Sequence, residues 1–332
     1  MQTSKQGTRT KHVLWSALAA ASFLFIAGPG SLSAQDFPSK PITIIAPVGP
    51  AGIIDMSARI IGERLSKILK VPVMIENKAG GGGMNGSLAF LDKPRDGHTL
   101  LAASGMVIIS NKVLGRAKTF DPRKDFLPIG YVADAPCTMS VAKNAPFQSY
   151  EEFVKYAKAN PGKVRAGISA LGGENHIMFE QILYENKIQC KVVPFPQAAN
   201  MVAGILGGHL DWMCYSLPAT MQYHKSGDVK IVLMTRRAKE LPGVPSGADV
   251  GLPEISINVW TGFFAHSKIP KPAYDKLVAA VAVAAKDPEV AKKFINLGCN
   301  VDYKDPQGFS KLLDMQFDIY AKAIKEANIQ VD

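Results

Sequence analysis

Four cysteines in 332 residues, with no CxxC pair among them, are too few and too scattered to indicate a zinc site or a dithiol redox motif. Cys137, Cys190, Cys214 and Cys299 permit three complete disulfide pairings, and their spacing favours none. The six histidines are scattered, so a metal site has little support. No HExxH, Walker A lysine loop or EF-hand pattern occurs, which removes the commonest signatures of metalloproteases, nucleotide hydrolases and calcium loops. No basic run interleaved with aromatics points to nucleic acid. The longest uncharged apolar stretch, residues 13–27, is short for a membrane span.

What is present is apolar content enough for a large core. At 47% hydrophobic residues the chain is not disordered, and its length suggests two domains. Lys5, Arg9 and Lys11 precede the uncharged stretch, and the small residues Ser31, Ser33 and Ala34 follow it. That is the order of a secretory signal peptide over residues 1–34, cut just before Ala34 or Gln35, and it predicts a periplasmic chain. The three leader cations are part of a formal net charge of +10, so the mature chain remains basic. A basic surface raises encounter rates with acidic solutes.

The chain is organised around residues 41–59. A β-branched run over 42–46 predicts a buried strand, and Met56, Ile60, Ile61, Leu65, Ile68 and Leu69 recur at helical spacing. Between them lies a loop with Gly49 and Gly52, and Asp55 stands at the helix start. A helix start has backbone N–H groups without intrahelical partners and a partial positive charge, which suit an anion. Residues 163–180 repeat the device, with Gly172, Gly173 and Glu174 at the turn. Two such loops in two domains are suited to the two ends of one small anion.

In chain order, strands are expected over 71–75, 164–168, 191–195, 229–235 and 259–265, with a strand-like run over 130–142 that crosses between domains. Helices are expected over 85–92, 151–160, 174–185, 199–206, 272–286, 288–297 and 306–327. The formal GxGxxG at Gly81, Gly83 and Gly86 is rejected as a dinucleotide site, because it arises inside a glycine run and lacks the acidic ribose contact. The strand ends at Ser104, Gly105 and Met106 and at Tyr215 and Ser216 should face a ligand crevice, since ligands gather beyond the carboxyl ends of strands in open α/β sheets. Alternation of strand and helix implies mostly parallel sheets. The expected organisation is a first domain over 35–135, a second over 136–255, and a return to the first over 256–332. Two crossings between them make a hinge suited to closure on a ligand.

The best enzyme candidate is Ser169 in the segment 167–171, which has Leu171 where a nucleophile elbow needs its second glycine. His176 nearby reads better as a helix residue bonded to neighbouring backbone. Glu174 in a first helical turn is ordinary dipole complementation. Facing the crevice instead, it would repel a second carboxylate and favour an amine, an amide or a hydroxyl.

Several motifs in order resemble the periplasmic solute-binding proteins of the tripartite tricarboxylate transporter class, the Bug or TctC-type family. They lie at residues 37–45, 50–59, 76–78 with the glycine run, 96–101, 120–129, 206–211, 241–245 and 260–264. The resemblance implies an α/β, two-lobed, Venus-flytrap fold of the type II periplasmic-binding class, with no catalysis and no cofactor. It implies a monomer that delivers a small carboxylated solute to membrane permease subunits, although some relatives present solute to a sensor kinase. Carried over by position, one carboxylate meets Val48, Gly49, Ala51, Gly52, Ile53, Asp55, Ser104, Gly105 and Met106. The other end meets Ser169, Ala170, Gly172, Gly173, Glu174, Phe195, Tyr215 and Ser216. Where the family usually has hydroxyl residues before the Asp, this chain has Ile53 and Ile54, and Glu174 follows two glycines where Gly-Ser is usual. A drier pocket suits a monocarboxylate, or a dicarboxylate with an apolar or aromatic body. A binding protein turns over no activated ester; ester hydrolysis that disappears in Ser169→Ala would instead establish a hydrolase.

Overall fold

Apolar β-branched runs followed by helical spacings give alternating strands and helices in the computed structural model, which describes residues 37–50, 52–169, 171–195, 198–252, 257–326 and 329. The expected leader lies outside the described residues, as do Ala51 and Ala170. The first part of the chain forms β1 (Ile42–Ala46), α1 (Ile53–Leu69), β2 (Val73–Asn77), α2 (Met84–Leu91) and β3 (Thr99–Ala103). A π-helical turn at Met106–Ser110 runs into α3 (Asn111–Val113), and α4 (Pro122–Asp125) leads to β4 (Phe126–Ala135). The middle comprises β5 (Cys137–Ala142), α5 (Tyr150–Ala159), β6 (Arg165–Ser169), α6 (Glu174–Asn186), β7 (Lys191–Phe195) and α7 (Ala198–Leu206). It continues through β8 (Trp212–Ser216), α8 (Leu217–Lys225) and β9 (Val229–Met234). The last part is β10 (Val259–His266), α9 (Lys271–Ala285), α10 (Pro288–Asn296), β11 (Asn300–Lys304) and α11 (Pro306–Glu326).

Two sheets result, ordered β11-β4-β10-β3-β1-β2 and β7-β6-β8-β5-β9. Each is the centre of one lobe. Both are mixed, which corrects the expectation of mostly parallel sheets. Parallel pairs join β1 to β2 and β3, and β6 to β7 and β8. The pairs that involve β4, β5 or β10 are antiparallel. These strands carry the chain out of one sheet and back, so they lack the covering crossover helix that parallel pairing requires.

The strand-like run expected from Gly130 starts at Phe126 and breaks at Pro136, which supplies no ladder N–H. Beyond it, the Cys137 amide donates to Thr235 Oγ1 at 3.0 Å and the Thr235 amide donates to the Cys137 carbonyl at 2.9 Å. Thr235 Oγ1 donates to Asn258 Oδ1 at 2.8 Å, and Arg236 pairs with Asp134. The two passages between sheets are thereby tied to each other. Helix α8 and strand β11 have no counterpart in the expected elements.

Helix α1 buries Ile54, Ala58, Ile61 and Leu65 against the first sheet. In the second lobe Trp212 stacks on Phe179 at 4.9 Å and meets Phe153 at 4.8 Å. In the first, Trp260 stands edge-on to Phe309 at 5.4 Å. Phe309 is seated over Gly262, where any Cβ would run into its ring. Gly262→Ala is therefore expected to destabilise the chain by about 1–3 kcal/mol through overpacking, read as a lower urea midpoint with an unchanged m-value.

Candidate functional site

Polar side chains hold the loop after β1. Asp55, buried in the first turn of α1, accepts from Arg59 Nε at 3.0 Å and from Asn77 Nδ2 at 2.9 Å. Asn77 Nδ2 also reaches the Val48 carbonyl at 3.1 Å, so one amide pins the loop to the end of β2. The Asp55 carboxylate is thus committed to the fold. Gly52 caps α1 in extended conformation without a side-chain cap. A Cβ on Gly49 would meet nothing within 4 Å, and one on Gly52 only the Gly49 carbonyl at 3.9 Å. The loop therefore turns an open, side-chain-free face outward beside the start of a helix. Ile53, the first residue of α1, is buried. The glycine run packs behind this loop, where a Cβ on Gly86 would strike the Pro47 backbone.

The second loop, residues 171–174, is held from both sides. The Gly172 amide, in a left-handed backbone with φ of 80°, donates to His176 Nδ1 at 2.9 Å. That bond assigns the proton to Nε2, which stands 3.1 Å from Glu180 Oε1. Both ring nitrogens are occupied, and His176 serves to fix the loop. From the first lobe, Arg116 Nη1 donates to the Leu171 carbonyl at 2.8 Å, and the Leu114 side chain fills the space where a Cβ on Gly172 would lie.

Glu174 joins the lobes. It starts α6 and is 4% exposed, and its Oε1 accepts from the Met106 amide at 2.9 Å and from the Tyr320 hydroxyl at 3.3 Å. Ser104 also hydrogen-bonds the carboxyl group. Gly105, between two of these donors, has no room for a side chain, since a Cβ there would collide with the Tyr320 hydroxyl and lie 3.1 Å from Glu174 Oε1. Burial pushes the Glu174 carboxyl above its ordinary value, and the hydrogen bonds oppose that shift without cancelling it.

The structure brings Ser104, Gly105 and Met106 together with Glu174, and Gly172 against the first lobe. Gly173 caps α6 between them. Tyr215 and Ser216 end β8 beside β5, and Ser216 caps α8. Phe195 packs in the second lobe under Gly204 of α7. Ser169 ends β6, and its side chain is outside the described atoms. Among the described residues no hydrogen bond links the Tyr215 side chain to the first lobe. Sequence reasoning missed Leu114, Arg116 and Tyr320. The last lies in the C-terminal helix, 146 positions from its partner Glu174, and no local pattern marks it.

Residues 57–329 match the family described as the tripartite tricarboxylate transporter family receptor, TctC. Protein BugT of Bordetella pertussis is 28% identical over 267 residues, covering 79% of this chain and 81% of BugT. The solved structure of the periplasmic binding protein BugD superposes with a TM-score of 0.82 at 26% identity, over 89% of this chain and 99% of that one. An R. palustris protein solved with adipate gives 0.84 at 25% identity, over the same shares.

A carboxyl group whose folded-state pKa is raised holds its proton more tightly in the folded than in the unfolded chain. Its contribution is most favourable below the ordinary glutamate value of about 4.5 and is lost as pH rises through the folded value. Glu174→Gln removes this term. The melting temperature of the variant relative to the natural chain should therefore climb as the pH is raised from about 4 to 7, measured by calorimetry in matched buffers.

Proposed function

Because the chain belongs to the TctC family of tripartite tricarboxylate transporter receptors, we propose that it captures a small carboxylated metabolite between its lobes in the periplasm. The loaded form is handed to the permease subunits of a tripartite transporter. The first lobe comprises residues 35–135 and 256–332 and the second residues 136–255, after removal of a leader over residues 1–34. The solute lies between the loop at Val48, Gly49, Gly52 and Ile53, the strand end at residues 104–106 and the loop at residues 172–174. Tyr215 and Ser216 flank the second-lobe side.

One observation carries this reading. The loop at residues 171–174 comes from one lobe and is bonded directly from the other, by Met106 at the strand end to Glu174 and by Arg116 to Leu171. Glycine loops beside helix starts, as at Gly52 and Gly173, can grip an acidic group without a catalytic side chain. His176, the base that a Ser169 nucleophile would need, has both nitrogens engaged elsewhere. A structural relative was solved with adipate, a small dicarboxylate, which supports carboxylate capture.

Mass spectrometry of the small molecule that co-purifies with the chain is expected to find a carboxylic acid. Adding that acid back to solute-free protein should raise the melting temperature in proportion to the logarithm of its concentration above Kd, since only the folded state binds. A co-purifying solute without an acid group, or no thermal response to it, would refute the assignment.

A further inference from the structure

The end of β3 is where an open α/β sheet offers donors to a ligand, and here the donors are taken. The Met106 amide, the Tyr320 hydroxyl and the Ser104 hydroxyl, all of the first lobe, converge on the carboxylate that Glu174 sends across from the second. These three first-lobe donors, joined by the amide of Glu174 itself and with no cation paired to the acid among the described residues, make a seat for a carboxylate. The protein itself fills that seat. Gly105 keeps it open, because any side chain there would displace Tyr320.

We propose that Glu174 occupies this seat as a built-in carboxylate and thereby sets specificity: the chain selects solutes with a single carboxylate and an uncharged or cationic far end. The inference rests on the reading that the seam between the lobes is the solute site. A second acid group brought to this end would meet a like charge in a dry environment, which disfavours it. An ammonium, amide or methyl group meets no such penalty, and an ammonium or amide gains a hydrogen-bond acceptor. The solute's one carboxylate is left to the other side of the loop, where the half-buried Arg116 guanidinium bonds the Leu171 carbonyl and has no acidic partner among the described residues.

The test uses the full chain, stripped of co-purifying solute, with straight-chain acids of three to eight carbons in three forms: ω-carboxyl, ω-amino and ω-methyl. Calorimetric titration of the natural chain is expected to rank the amino or methyl form at least tenfold tighter than the dicarboxylate of equal length. Glu174→Gln should improve dicarboxylate affinity by about tenfold or more and weaken the amino form, reversing the order. Glu174→Ala, which empties the seat, should give the same reversal, so the result does not hang on one variant folding. Tighter dicarboxylate binding by the natural chain, or one unchanged ranking in all three proteins, would overturn the role of Glu174 and leave carboxylate capture standing. Failure of every acid to bind any of the three would remove carboxylate capture and this inference together.

Discussion

A buried carboxylate that one lobe lends to the other is the constraint around which this molecule is arranged. An acid group out of water is tolerated only when donors replace its hydration. Here the donors come from the adjoining end of β3 and π-helical turn and from the distant helix α11. Glu174 can be satisfied in this way only while the lobes are together. Parting them must return the carboxylate to solvent and leave the Met106 amide to water. The contact therefore couples the state of the hinge to the hydration of one side chain.

Around that contact, polar residues bonded to neighbouring loops hold the backbone in place. Asp55 and Asn77 fix the first loop, and His176 and Glu180 fix the second. Arg165 grips Asp211 through two nitrogens and the Gly208 carbonyl through a third, pinning the turn before β8. His98 accepts from the Ser39 amide and lies edge-on to Phe37, anchoring the start of the described chain to the first sheet. Several family motifs thus prove to be joinery. Their residues are specified by the turns they close, while glycines stand at the loop positions beside the starts of α1 and α6.

How far the sequence could be read follows from this division. The strand at Ile42–Ala46 and the helix starts at Glu174, Pro288 and Pro306 stand where periodicity and capping residues put them. Those signals are local, and packing does not contradict them. The sheet pairing was misjudged because alternation of strand and helix says nothing about strands that travel between sheets. Helix α8 and strand β11 have weak patterns of their own and owe their form to tertiary contacts. At the site, glycines and strand ends were legible as candidates, and Glu174 was recognisable as the charge most worth weighing. Its partner Tyr320 was not, because a hydroxyl on the buried face of a long amphipathic helix looks like any core aromatic. Arg116 was hidden for a similar reason, since a lone arginine after a short helix gives no hint that it reaches the opposite lobe.

The position of Tyr320 near the end of α11 has a temporal meaning. A polypeptide emerges amino end first, and every strand of both sheets is encoded before this helix is made. Until α11 docks across β4 and the π-helical turn, the carboxylate of α6 lacks one of its donors and the interlobe joint is incomplete. Helix α11 thus acts as a keystone, and the joint between the lobes closes only after it has been made.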